Sequence, residues 1–422
     1  RDSARIRARA EAGKRSILLV PEQFTSSTEA RIYRELGDAL SGMVESYSFT
    51  SLAEHILAAL GGAAVQTLTD AGRAVLVRRA LEELQDNVHY YYRHRRSAAF
   101  CQMAAETIDE LKSAGLSGQQ LQELARDCGT ESAKLGELAL IFQGYESLLA
   151  GTGMDPADRL ELAADRLEAA LARDELPDFL REREVFIDEF DTFNAPKKRL
   201  MGAMLAALPA VTVALCEDGA PMQPGDLELF SGAKQVAAQL RQLARKNGAQ
   251  VAAPELLRRD LRHKDAPGLA ALTELLETGS CTPPESAPEL RLFAAASREE
   301  EARCAAAAIR RLMRQGVRCG KIAVVCRDIS LYRAAVRYEF RMAEIPLYCD
   351  EPTTPEFSAP ATAVRALLAL LRGADMTEQL TVLAKTGLCA LTEPEVCALE
   401  NYAYTWSPNA CLLYTSDAAD EL

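Results

Sequence analysis

The sequence is poor in the residues that carry metal and redox chemistry in recognisable patterns. Its 422 residues include four histidines, and the two nearest in sequence, His89 and His94, are five apart, poor spacing for one helix face. The 11 cysteines are scattered and contain no Cys-x-x-Cys pair. Paired-cysteine zinc and thioredoxin-type sites are thereby excluded, and buried reduced thiols are expected, as at Cys216 in "VTVALCED" and Cys326 in "KIAVVCRD". No apolar run approaches the roughly 20 residues that span a bilayer, so no membrane segment is expected. The opening Arg1-Asp2-Ser3-Ala4-Arg5 lacks the apolar centre of a secretory signal, and a cytoplasmic location is expected. Positive charge is also in deficit, 48 Lys and Arg against 61 Asp and Glu, a net charge of −13. That balance excludes a histone-like coat for nucleic acid but leaves room for a local basic channel.

What is present reads as a soluble globular chain, 48% hydrophobic and 26% charged, long enough for two or three domains. Near the start, "SILLVPEQFTSSTEARIYREL" places the apolar run Ile17-Leu18-Leu19-Val20 before Pro21 and a polar turn that enters an amphipathic helix. This is the pattern of a buried parallel strand that delivers a loop, Glu22-Gln23-Phe24-Thr25, to the edge of a sheet. A second strand is predicted over "MVESYSF", Met43 to Phe49, with Thr50 or Ser51 capping the helix "LAEHILAAL". Residues 1–68 thus form the first part of an α/β domain.

From Thr69 to about Leu167 apolar residues recur at three- and four-residue spacing, which predicts an all-helical insertion over 69–167. The α/β pattern returns over 168–282 with the strand Val185-Phe186-Ile187 in "REREVFIDEFDTF" and another in "AVTVALCED". A linker at "PPESAPEL" precedes a second α/β domain over 288–408: "LRLFAAAS", then an alanine-rich helix from Arg298 to Gln315, the strand "KIAVVCRD", then another helix and "IPLYCDE". No internal repeat of fixed period is visible. Both ends read as cut, and "PNACLLYTSDAADEL" breaks the helical text before it, so 409–422 is expected to be a non-native tail.

Two motifs carry candidate chemistry. Asp188-Glu189 follows a buried strand, as the acidic pair of a P-loop motor does when it holds Mg²⁺ and activates water; acids also commonly cap strand ends. The Gly-rich loop that would cradle a triphosphate is missing, since Gly13-Lys14 in "AEAGKRS" lacks the preceding glycines. "HYYYRHRR", His89 to Arg96, mixes aromatic and cationic groups as a single-strand-binding surface would, and reads equally as a solvated loop of the helical block.

In their order along the chain, "ILLVPEQFTSSTE", "VESYSFTSLAEHIL", "VFIDEFDTFNAPKKRLMGAML", "KIAVVCRDISLYRAAVRYEFRMAEIPLYCDEP" and "LAKTGLCALTEPEVCALENYAYTW" resemble the B component of the AddAB-type (RexAB-type) ATP-dependent helicase–nuclease family. The resemblance runs from residue 1 to about Trp406. It implies an α/β fold like that of superfamily-1 helicases: a P-loop-type parallel sheet with a helical insertion, and the start of a second motor-like domain. It implies a decayed motor beside the active A component of a heterodimer, binding single-stranded and duplex DNA and reading a Chi-like hotspot. ATP and Mg²⁺ would belong to the full-length protein. The family's nuclease domain and its cysteine-ligated 4Fe-4S cluster would lie beyond Leu422, and no cofactor is expected within these residues.

By the same resemblance Gln23 and Thr25 match base-contacting positions, Phe49 matches an aromatic placed to stack on a splayed base, and Ser51 lies beside them. An amide and a hydroxyl suit base edges, and a ring suits stacking. Ser51 stands where some members carry arginine, Glu54 where they carry tryptophan, and Glu189 where many carry glycine. Two other readings follow from these departures. One is a scaffold for the active helicase component without base reading; the other is an active superfamily-1 ATPase.

Overall fold

A computed structural model describes residues 2–84, 86–219, 229–257, 262–349 and 355–406. The expected non-native tail lies outside the described residues. The chain divides into two units, residues 1–290 and 291–422.

The first unit is built on four short parallel strands: β1 (Ser16–Leu19), β2 (Val44–Tyr47), β3 (Glu184–Ile187) and β4 (Ala210–Val213), in the spatial order β2-β1-β3-β4. Alternation along the strands feeds two cores. Ile17, Leu19, Val185 and Ile187 face one side, and Leu18, Val20 and Phe186 the other. Helices α1 (Asp2–Glu11) and α2 (Thr25–Ser41) cover the second side through Ile6 and Ile32. Helix α3 (Phe49–Leu60) contributes Leu52, Ala53, Ile56 and Leu57, at helical spacing, to the first side.

The insertion is helical as its periodicity predicts. It comprises α4 (Asp70–Glu83), α5 (Ala98–Ser113), α6 (Gly118–Ala125), α7 (Ser132–Leu149) and α8 (Pro156–Ala172), with one backbone bridge between Thr67 and Met154. Helices α4, α5, α6 and α7 enclose a core of their own around Val77, Ile108, Phe142 and Tyr145, while α8 turns Leu160, Ala163, Ala164 and Leu167 onto the sheet side. The remaining helices of this unit are α9 (Ala195–Ala207), α10 (Ser231–Lys246) and α11 (Pro267–Thr278).

Buried charges tie these layers together. Glu184, 5% exposed at its side chain, meets Arg5 at 2.6 Å and Arg9 at 3.1 Å, which fastens α1 to the start of β3. In the insertion, Lys112 Nζ lies 2.9 Å from Asp155 and 2.8 Å from Asp158, and Tyr145 donates its hydroxyl to Asp155 at 2.6 Å.

Three expectations are corrected. The second strand ends at Tyr47 rather than Phe49, because the cap of α3 is Ser48 and not Thr50 or Ser51; Ser51 reciprocates from the third position of the helix. The second unit contains α12 (Arg298–Arg314), α13 (Ile329–Met342), α14 (Ala359–Leu371), α15 (Met376–Lys385) and α16 (Glu393–Trp406), but no strand among the described residues. "LRLFAAAS", "KIAVVCRD" and "IPLYCDE" leave Leu292, Val325 and Tyr348 101%, 91% and 87% exposed. A strand persists only where a neighbour takes its backbone hydrogen bonds, and the described residues of these segments have no such neighbour. Finally, of the ten described cysteines only Cys101 is buried; Cys128, Cys216 and Cys397 are exposed. Apolar sequence neighbours do not bury a thiol that lies past the end of its strand, as Cys216 does.

Candidate functional site

The strand order creates the site. The chain leaves β1 toward β2 on one side, and returns to β3 on the other. The carboxyl ends of β1 and β3 therefore flank a topological switch point, where open parallel sheets hold ligands. Val20 N donates to Tyr47 O at 3.0 Å and Asp188 N to Leu19 O at 3.0 Å, so the three loops leave the sheet side by side. The structure brings Asp188 next to the loop of Gln23.

Glu22–Phe24 form a single 3-10 turn that runs directly into α2. Thr25 donates its hydroxyl to Glu22 O at 3.0 Å, and Ser27 donates to Phe24 O at 2.9 Å. These bonds hold the turn closed. Gln23 is exposed, and its amide makes no hydrogen bond among the described residues. Helix α2 begins without a side-chain cap and without an acid in its first turn. The turn itself takes the first N–H groups: Phe24 N donates to Pro21 O at 2.9 Å and Thr25 N to Glu22 O.

Phe49 and Ser51 are placed differently from the expectation. Phe49 is 2% exposed, its ring meeting Phe190 and Phe193 edge-on at 5.2 and 6.0 Å between centroids. A stacking platform must present an open face; Phe49 is a core side chain. Ser51 is spent on the cap, its Oγ accepting from Ser48 N at 2.8 Å while its own N–H donates to Ser48 Oγ at 3.1 Å. Glu54 lies 3.7 Å from Arg159.

The acidic pair is also committed. Asp188 accepts the Glu189 N–H on Oδ1 at 2.9 Å, and Glu189 pairs with Arg31 of α2 at 3.2 Å. Glu189 adopts φ 66°, a left-handed backbone that glycine takes at least cost. The carboxylates thus shape and brace a turn. In this arrangement they do not form a free pair facing a nucleotide-bound Mg²⁺.

Sequence reasoning missed Arg31, Phe190, Phe193 and Lys197. Lys197, in the first turn of α9, stands 5.5 Å from the Phe190 ring centroid and 5.8 Å from that of Phe49. The aromatic pair in "DEFDTFNAPKK" and the lysines after it were the available signal.

A family model described as "ADDB, N-terminal" matches residues 3–273. The chain belongs to the AddB family. The B component of the ATP-dependent helicase/deoxyribonuclease of Desulforudis audaxviator is 32% identical over 400 residues, covering 92% of this chain and 33% of that protein. Its namesakes from Moorella thermoacetica and Symbiobacterium thermophilum are each 31% identical, with 94% and 93% of this chain covered. This AddB-family chain spans about a third of the length of the relatives it matches. No helix among the described residues is long and apolar enough to cross a membrane.

Proposed function

We propose that this AddB-family chain works in a heterodimeric helicase–nuclease of double-strand-break repair by homologous recombination, holding single-stranded DNA while the active A component drives the motor. Such a complex would act on DNA in the cytoplasm. The observation that carries the reading is the switch-point edge itself: Gln23 free at the mouth of the sheet, in a chain of this family. An unpaired amide offers both a donor and an acceptor to a base edge. Thr25, with its donor spent but its lone pairs free, would support the same role. On this reading the chain senses a Chi-like hotspot as the strand passes. ATP, Mg²⁺ and a 4Fe-4S cluster would be matters for the full-length protein.

The test uses the complete heterodimer with random and hotspot-bearing oligonucleotides. Gln23→Ala is expected to weaken binding to the hotspot by about 1–3 kcal/mol and to spare random sequence. The salt dependence should stay unchanged, since the amide neutralises no phosphate. Equal binding of both oligonucleotides by parent and variant would overturn base reading.

A second reading has its own support. Phe49 and Ser51 are absorbed by the fold and Glu54 is anionic, which favours a scaffold for the A component that no longer reads bases. In that case Gln23→Ala leaves the hotspot response of the heterodimer intact. An active ATPase is the least supported reading, because Arg31 and the turn occupy Glu189 and Asp188.

A further inference from the structure

The sheet edge does not account for the loop between α4 and α5. From Asn87 to Ala105 the sequence contains no carboxylate, although the chain as a whole carries a net charge of −13. Arg93, Arg95 and Arg96 are concentrated there with Tyr90, Tyr91 and Tyr92.

The loop is built rather than slack. Val88, 1% exposed, anchors one end in the core of the insertion, and Tyr91 packs on Phe100 at 5.2 Å between centroids. Glu137 of α7 reaches across and accepts the backbone N–H groups of His89, Tyr90 and Tyr91 at 2.8, 2.8 and 3.1 Å. Three successive amides turned to one oxyanion form a concave nest, and here the carboxylate fills it. Glu137 is therefore satisfied by the backbone and not by an arginine. Glu131, the other carboxylate whose field reaches Tyr91, pairs with Lys134 at 3.6 Å.

What remains outward is aromatic and cationic. Tyr90 and Tyr92 are 58% and 43% exposed, and Arg93 and Arg96 are exposed with no ion pair among the described residues. Arg95 lays its guanidinium 3.7 Å from the Tyr92 ring centroid and donates to Tyr92 O at 2.8 Å, which fixes that ring. Tyr90, the more exposed ring, meets Tyr91 edge-on at 4.9 Å between centroids, and an exposed ring beside unpaired guanidinium groups offers stacking and phosphate binding.

We infer that the loop Tyr90–Arg96 is a second binding surface for single-stranded DNA, in which Tyr90 stacks on a base and Arg93 and Arg96 hold phosphates. The inference rests on the reading that the protein handles single strands, and it adds a surface on the helical insertion that accepts any sequence.

The experiment measures binding of labelled oligo(dT) and of a blunt hairpin duplex to the 422-residue chain across a salt series. The variants are Tyr90→Ala, the double variant Arg93→Gln/Arg96→Gln, and Arg78→Gln/Arg79→Gln on α4 as an equal charge change elsewhere. Tyr90→Ala is expected to weaken oligo(dT) binding at least about fivefold with an unchanged salt slope. The loop double variant should reduce the slope of log K against log salt by about 1.4, or 0.7 for each phosphate no longer neutralised. The α4 pair should bind like the parent. Loop variants that match the parent, or an α4 pair that loses as much as the loop pair, would overturn the proposal. So would a loss confined to the duplex. If the loop variants are silent while Gln23→Ala still shifts hotspot preference in the heterodimer, the loop proposal falls and the proposed function stands. If the parent binds no oligonucleotide, alone or in the heterodimer, both fall.

Discussion

Arg31 and Glu189, 158 residues apart, meet at 3.2 Å across the switch point of the sheet. The pair joins the helix after β1 to the turn after β3, and it holds Glu189 in a left-handed conformation at φ 66°. A half-exposed ion pair contributes at most about 1 kcal/mol, while a non-glycine residue in this region costs about 1–2 kcal/mol. Glu189→Gly is therefore expected to leave the protein as stable as the parent or more stable, by up to about 1 kcal/mol. Urea unfolding measures the difference. A marked loss of stability would show that the pair matters more than the strain.

Phe49 is a packing residue before it is anything else. Phe49→Ala should cost about 3–5 kcal/mol through the cavity it leaves against Phe190 and Phe193. Phe49→Leu keeps most of the volume and should cost under about 1.5 kcal/mol. The leucine variant decides whether the ring also serves as a DNA platform. A well-folded Phe49→Leu protein should bind single strands like the parent, and a general loss of affinity would contradict the buried assignment.

Lys112 lies between two carboxylates of the insertion, 8% exposed against Asp155 at 1%. Lys112→Met strands Asp155 in the core and should cost about 3–5 kcal/mol in denaturant unfolding. Burial works against the charge on Lys112, but Asp158 and Asp155 outweigh it and hold the ammonium above the ordinary lysine range. A cation held above its unfolded value contributes stability fully below that value. The contribution is lost as the pH rises through the folded value. The advantage of the parent over Lys112→Met should thus persist through neutral pH and shrink only above about pH 10.

Glu146 has the opposite sign. Burial raises its carboxyl above the ordinary range; Lys112 and the Gly118 N–H pull it back only in part, and Asp158 and Asp155 add to the rise. An acid raised in the folded state stabilises the fold while protonated and penalises it once ionised. Glu146→Gln should raise the thermal midpoint at pH 7, and the gain should fade as the pH falls below the ordinary glutamate range. A gain that is the same at both ends would point to packing and not to charge.

The strands β1 and β3, the helical insertion and the acidic end of β3 were legible in the sequence because each depends on local pattern. Four consecutive apolar residues before Pro21, or Leu and Ala at helical spacing through α8, specify burial whatever surrounds them. The roles of Phe49, Ser51 and Glu189 were not legible. Phe49 follows β2 as an exposed platform would, and only Phe190 and Phe193, about 140 residues later, close over it. Ser51 took its place from Ser48, three residues earlier, because two hydroxyls satisfied the helix start better than one.

The sequence by itself determined that this chain is α/β with a helical insertion, that it belongs with the AddB proteins, and where its first buried strand lies. Tertiary structure alone decided which of the candidate residues remain available. Side chains at a strand end have similar chemistry until the sheet orders its neighbours. The order β2-β1-β3-β4 brought Arg31 onto Glu189 and the Glu189 N–H onto Asp188, and it left Gln23 without a partner. An ion pair or a packed ring forms only when both members arrive from distant segments, and periodicity in one segment carries no record of the other.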